Sequence, residues 1–344
     1  MQVTWRSPSN IAIIKYWGKH GNQLPNNASL SLTLSNASTE TSLKLLRKRS
    51  KKEIEVDFRF EGEKNPAFAE KITTYITSLH KEMSWLSTHR LQIHSSNSFP
   101  HSAGIASSAS SMSALALCLL STDVMQGRKL KPEQFFSVAG NYARLGSGSA
   151  CRSVFPGFAL WGKTDLIETA SDKTAIPFPE NYHPDFEEMQ DSILIVHAGE
   201  KPVSSRAGHA LMRTHSMADQ RYANAHTRLK TLIQVLRSGD WETFCSITEA
   251  EALELHALMM TSDPSYILMR PNTLAIIEKI RHFRADTKIP LCFTLDAGPN
   301  VHVLYPWFVK KEVRNFIQSE LLEFCAKKKV IYDQMGRGPV QVME

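Results

Sequence analysis

The sequence predicts an α+β protein built in two lobes that divide near residue 185. Strand-like and helix-like segments interleave along the chain, but not in the one-for-one alternation of a doubly wound sheet. Residues 165–190 collect Pro177, Pro179 and Pro184 among mixed polar residues, which is the composition of a crossover between structural units. A length of 344 residues suits two such units, 1–185 and 186–344.

Each element has its own warrant. Ser29–Leu34 reads as a strand. Ile54, Val56, Phe58 and Phe60 alternate with Glu53, Glu55, Asp57 and Arg59, the period of two that puts one face on a core and the other in water. Leu91–His94 is a further strand. Ile72, Tyr75, Ile76, Leu79 and Met83 recur at helical spacing and make a core-facing stripe. The small-residue, Ala- and Leu-rich stretch Ser107–Leu120 suits a buried helix. Pro132–Leu145 suits another, with its proline in the first turn, where no N–H is needed. A strand at Phe155–Trp161 follows a Gly- and Ser-rich corner. The second lobe opens with a strand at Ser192–His197. Helices follow between Ser205 and Met260 and at Pro271–Arg284, then a hairpin-like pair, Leu291–Leu295 and Val301–Tyr305.

Composition narrows the function classes. A chain 42% hydrophobic and 22% charged has ample material for a globular core. A formal charge of +6 attracts polyanions, whether nucleic acid, membrane surfaces or phosphorylated metabolites. The densest basic run is Lys44, Arg47, Lys48, Arg49, Lys51 and Lys52, closed by Glu53, and it reads as a solvated turn between strands. It lacks interleaved aromatics, and the chain carries no recognised RNA-binding string, so nucleic acid is not the expected partner. Met1–Arg6 has no signal-peptide pattern, and the best apolar run, Ala114–Leu120, is too short to span a membrane. The five cysteines are scattered without metal or redox spacing, which leads us to expect a reduced, cytoplasmic setting.

Five short strings carry chemistry. In Pro100–Ala109, Gly104 allows close backbone approach to an anion. The helix that follows would offer free N–H groups, and Ser107 and Ser108 offer hydroxyls; an ordinary Ser-rich helix cap fits the same residues. The spacing is neither a Walker A loop nor a dinucleotide fingerprint. In Asn10–Lys19, two lysines, an asparagine and adjacent aromatics could hold a phosphorylated substrate, or could be a strand end with solvated lysines. In Gly146–Ser153, small residues leave room for a ligand and Arg152 offers a planar fork for a carboxylate or phosphate. Val203–Arg206 supplies a further hydroxyl and cation, although Ser205 could equally cap a helix. Asp296–Asn300 sets Asp296 at a strand-to-turn corner.

The first of these strings resembles the second motif of the GHMP kinases, a phosphate loop of the form Pro-x-x-x-Gly-apolar-x-Ser-Ser-Ala. The other four resemble motifs of the diphosphomevalonate decarboxylases within that superfamily. Asn10–Lys19 is similar to their opening string, Gly146–Ser153 to their Gly-Ser-Gly-Ser-Ala-Cys-Arg-Ser, and Asp296–Asn300 to the string that carries the catalytic aspartate. The matches run in the family's order from residue 10 to residue 300. The resemblance implies a ribosomal-protein-like N-terminal lobe and a ferredoxin-like C-terminal lobe. It implies decarboxylation of (R)-5-diphosphomevalonate to isopentenyl diphosphate with ATP and Mg²⁺, the metal held largely by phosphates, and it implies a homodimer.

The same resemblance implies catalytic roles for Asp296, Lys15 and Arg152. Asn10, Tyr16, Lys19, Ser147, Ser149, Ser205 and Arg206 would bind substrate, and Ser102, Ala103, Gly104, Ser107 and Ser108 would cradle the nucleotide phosphates. The phosphate loop departs from the family's commonest wording at His101-Ser102-Ala103, Ile105 and Ser111, which bears on nucleotide preference. The nearest rivals are a phosphomevalonate decarboxylase and a mevalonate 3-kinase of the same fold. A basic RNA-binding protein is a more distant one.

Overall fold

The computed structural model describes residues 1–48, 54–99, 105, 107–199 and 203–342. The chain begins with β1 (Gln2–Ile14), the short ribbon β2 (Lys19–His20) and β3 (Leu24–Pro25), β4 (Ser29–Arg47), β5 (Glu55–Phe60) and β6 (Glu63–Lys64). It continues through α1 (Pro66–Ser78), β7 (His89–Asn97), α2 (Ser107–Met125), α3 (Phe135–Gly146), β8 (Phe158–Trp161) and β9 (Ile176–Pro177). Next come β10 (Gln190–Leu194), α4 (Ser205–Leu211), α5 (Ala218–Ser238), α6 (Trp241–Met260) and α7 (Pro271–Thr287). The chain closes with β11 (Cys292–Leu295), β12 (Val301–Tyr305), α8 (Lys310–Phe316), β13 (Val330–Gln334) and β14 (Val340–Val342).

The first sheet runs β14-β1-β4-β7-β5-β6, with β8 and β9 continuing from the near end of β4. All its pairs are antiparallel except β5 with β7. The second sheet runs β11-β12-β10-β13, wholly antiparallel, which is the strand order of a ferredoxin-like lobe. The last strand returns to pair with β1, so the chain's end closes on its beginning.

Local chemistry sets the element ends. Asn65 caps α1 by accepting from the Phe68 N–H at 3.0 Å, ahead of Pro66 in the first turn. Gly239, at φ +80°, ends α5 in the left-handed region, and Asp240 then caps α6 through the Thr243 N–H. β1 and β4 are buried on both faces, so β1 shows no alternation and β4 runs far beyond the six residues that read as a strand. Polar positions such as Thr39 and Thr41 sit inside because Ser110 and Ser95 pair with their hydroxyls at 2.6 and 3.0 Å. Lys44 and Arg47 therefore lie on β4 rather than in a turn, while Arg49–Glu53 fall outside the described residues.

One core lies behind the first sheet, where α1, α2 and α3 bury Ile76, Leu117 and Ala143. α2 has the length and mean hydropathy, 1.3, of a membrane span, but 72% of that window is buried inside the protein. A second core joins the lobes: Ile11, Leu32 and Leu34 of the first sheet meet Ile193 and Leu304 of the second, with Leu232 and Phe244 from α5 and α6. This shared core lies at the seam between the lobes, where Lys15 meets Glu251 and Asp296.

Candidate active site

β1 delivers Lys15 to the seam between the lobes. Two irregularities in its pairing with β4, at Pro8/Asn10 and Ala12/Ile14, come just before the lysine; bulges of this kind re-aim the side chains that follow. Every polar group of Lys15 is engaged. Its N–H donates to Glu251 Oε2 at 2.8 Å, and its carbonyl accepts from Asn27 at 3.0 Å and Arg221 at 3.1 Å. Its ammonium donates to the Ala12 carbonyl at 2.6 Å and stands 3.7 Å from Asp296 Oδ1. Lys15 is buried, not the solvated strand-end lysine that its neighbours alone allow.

Burial pushes the Lys15 ammonium down to about 8, against the upward pull of Asp296 and Glu251. The lysine is charged below that pH and loses its charge above it. We expect kcat/KM for the phosphorylated substrate, which reports the free enzyme, to fall as pH rises through about 8. The kcat profile should hold to higher pH, because a bound polyanion favours the charged ammonium. Parallel pH profiles of the two constants check this, and coincident falling limbs would speak against Lys15.

Asp296 follows β11 at the turn into β12 and is a quarter exposed, so one face of the carboxylate stays open to a ligand. The turn is pinned from three sides. His256 of α6 bonds the Asp296 carbonyl at 3.1 Å, Thr273 of α7 donates to the Pro299 carbonyl at 2.7 Å, and Asn300 accepts from the His197 N–H at 2.9 Å.

Arg152 reaches the same place from the segment after α3. Its Nε donates to Asn10 Oδ1 at 3.3 Å, its Nη1 donates to the Ser29 hydroxyl, and the guanidinium lies over the Trp161 ring. Asn10 in turn donates to Ser153 and to the Ser149 carbonyl, locking the Gly-Ser segment to β1. Two sides of the fork are thus spent within the protein. Nη2 has no protein partner among the described residues, and it and the remaining Nη1 hydrogen still offer an end-on pair of donors to a carboxylate. The Tyr16 ring packs at 4.7 Å from Trp161, and its hydroxyl is buried without a partner among the described residues, with Gly148 close against it. A side chain at position 148 would meet that hydroxyl at 2.7 Å, which explains the glycine between Ser147 and Ser149.

The cationic end of the site lies beyond Tyr16. Lys19, half-buried and donating to Gln23 at 2.7 Å, has its proton affinity lowered by burial first, then by Arg206 and Arg213. Arg206 is exposed in the first turn of α4. Ser205 is not that helix's cap. Ser204 is, accepting from the Ala207 N–H at 3.2 Å, which leaves the Ser205 hydroxyl free of that duty. Ser108, in the first turn of α2, lies 3.3 Å from the Ser147 hydroxyl and links the start of the phosphate-loop helix to the Gly-Ser segment. Ser107 stands beside it. Ser102, Ala103, Gly104 and His101 fall outside the described residues.

Local patterns did not point to Glu251, Arg221, Ser29, His209 or Arg213. The available signal was charge inside apolar helices: Arg221 and Arg228 lie seven apart on α5, and Glu251 and Glu254 three apart on α6. Arg221 and Glu251 are fully buried and 2.6 Å apart, and Arg228 and Glu254 complete the network.

Two lobes of this topology, with an ammonium, a carboxylate and a guanidinium meeting between them, define an enzyme of the GHMP kinase fold. Residues 7–174 match the diphosphomevalonate decarboxylase-like N-terminal domain, and residues 192–342 match the mevalonate 5-diphosphate decarboxylase C-terminal domain. The diphosphomevalonate decarboxylase of Ganoderma lucidum is 31% identical over 92% of this chain and 80% of its own length, and that of Schizosaccharomyces pombe is 29% identical over 99% and 87%. Among solved structures, MDDEF in complex with MVAPP, AMPPCP and magnesium superposes with a TM-score of 0.85 at 30% identity, covering 100% of this chain and 99% of that one. The mevalonate diphosphate decarboxylase of Staphylococcus aureus gives 0.84 at 27%, over 99% and 98%. The chain belongs to the diphosphomevalonate decarboxylase family.

Proposed function

We propose that this chain catalyses the ATP-dependent decarboxylation of (R)-5-diphosphomevalonate, releasing isopentenyl diphosphate, ADP, phosphate and CO₂. The observation that carries this reading is the Lys15–Asp296 pair, 3.7 Å apart at the seam, with the buried Arg152 guanidinium held beside it. A kinase needs the first two; the guanidinium gives the substrate carboxylate a place to be held until it leaves.

The donor set fits a nucleotide with magnesium. The Ser108 and Ser147 hydroxyls converge at the α2 N-terminus, while no group of three or more His, Cys, Asp or Glu among the described residues would cage a metal by itself. When bound, magnesium-ATP supplies the phosphoryl group and neutralises part of its charge.

Asp296 orients the substrate's 3-hydroxyl and accepts its proton as the oxygen takes the phosphoryl group. Lys15 meets the negative charge on the transferring group. The new C3–O–phosphate bond then breaks with its electrons going to phosphate, and positive charge grows on C3. The C1–C2 bonding pair closes the C2–C3 alkene as CO₂ departs. Arg152, steadied by Asn10, holds the carboxylate in line. Tyr16, Lys19, Ser147, Ser149, Ser205 and Arg206 hold the diphosphate end, and residues 102–104 with Ser107 and Ser108 hold the nucleotide phosphates. The division at 185/186 separates the nucleotide-phosphate lobe from the lobe that carries Asp296.

Side-by-side assays with mevalonate, its 5-phosphate and its 5-diphosphate, following ADP and CO₂ separately, test the reading. The diphosphate should give equal ADP and CO₂. ADP release without CO₂, or preference for the monophosphate, overturns it.

A further inference from the structure

α4 carries a histidine that the reaction above leaves without a task. His209 is 7% exposed, and its ring lies 4.3 Å from that of Tyr16 and 4.6 Å from that of Trp17, tilted by 40° and 36°. The Gly18 N–H donates to its Nδ1 at 3.0 Å. A ring nitrogen that accepts carries no proton, so the proton sits on Nε2 and the imidazole is a neutral donor. Nothing among the described residues accepts from Nε2, and that atom is not among those sealed from solvent without a partner.

The ring is surrounded by aromatic and cationic side chains. Tyr16, Trp17 and Lys19 approach from the chain after β1, and Arg152 from the Gly-Ser segment. On α4 itself Arg206 lies three residues before His209, and Arg213 follows in the turn after the helix ends. Gly208 lets the helix press onto Trp17 and Tyr266; a side chain there would meet the Trp17 ring at 2.6 Å. Burial first, then Lys19 and Arg152, push the imidazole down to about 3, so it stays uncharged among these cations. A donor without charge adds direction to an anion site without adding repulsion to the empty one.

We propose that His209 is a substrate-binding residue whose Nε2–H donates to the substrate's diphosphate, beside the cation Lys19. The proposal rests on the function proposed above, because that function supplies the diphosphate. One hydrogen bond to a charged group corresponds to roughly 10- to 100-fold in binding.

His209→Met keeps an apolar filler between the rings and removes the donor. We expect KM for 5-diphosphomevalonate to rise roughly 10- to 100-fold, with kcat and KM for ATP within about twofold. His209→Gln, which retains an amide donor and acceptor, should recover most of the loss. In wild-type enzyme, ¹⁵N spectra of the imidazoles at neutral pH should show the Nε2–H tautomer, and that signal should move on adding inorganic pyrophosphate. Unchanged KM in an active His209→Met enzyme overturns the proposal. So does an imidazole signal that saturating pyrophosphate leaves in place, and that reading stands even if the variant fails to fold. A wild-type enzyme that releases no CO₂ from diphosphomevalonate would instead remove the function, and the pyrophosphate titration separates the two failures.

Discussion

Asp296→Asn is expected to lower turnover by roughly 10²–10⁴, the usual worth of a positioned acid or base. The substitution keeps the size of the side chain and a carbonyl that can orient the substrate hydroxyl. It removes the proton acceptor and the negative charge 3.7 Å from the Lys15 ammonium. Substrate dissociation should stay within a few-fold, because Arg152, Lys19 and Arg206 are untouched. A second signature separates chemistry from damage. Asp296 pulls the Lys15 proton affinity up, so without it the lysine should lose its proton at still lower pH, and the falling limb of kcat/KM should begin below about 8. Turnover near that of wild type would remove Asp296 from the mechanism, and an unmoved limb would uncouple it from Lys15.

How far the residues themselves announced this site depends on the distance over which each partner acts. The hairpin around Asp296 and the helices at α2, α3 and α7 were legible because their signals are local: turn residues between apolar runs, and a proline in the first turn. β1 was not, since burial on both faces erases the alternation that identifies a strand. The Lys15 environment was hidden for a different reason. Its backbone partner, Glu251, lies 236 positions later, and nothing near Lys15 shows that the ammonium will be taken out of water. Five short strings in a family's order indicated which residues belong together. They could not show that Arg152 would already be engaged on two sides, or that a histidine would stand between Tyr16 and Trp17. Those features depend on Ser29, Asn10 and α4 arriving from separate parts of the fold.

Glu251 is where stability and activity should come apart. It is fully buried, and its two oxygens face Arg221, Arg228 and the Lys15 N–H. Burial alone would raise its pKa; Arg221 first, then the other donors, more than offset this and hold the carboxyl below the usual glutamate range. A carboxyl whose pKa is lower in the folded than in the unfolded chain contributes stability at neutral pH. That contribution erodes as pH falls below about 4.3 toward the folded value, so the melting temperature should drop across that window. Glu251→Gln should cost about 3 kcal/mol in denaturant unfolding, the low end for breaking a buried pair, because Glu254 still faces both arginines. The melting temperature of the variant should also respond less to acid. Arg221→Met combined with Glu251→Leu removes the buried charges together, and apolar replacement of a buried pair is often near neutral, so much of the stability should return. Activity should not. The Lys15 N–H loses Glu251 and its carbonyl loses Arg221, so the ammonium facing Asp296 is held by fewer points and kcat should fall with stability largely restored. If the double variant regains activity along with stability, the network serves only to hold the lobes together and has no part in aiming Lys15.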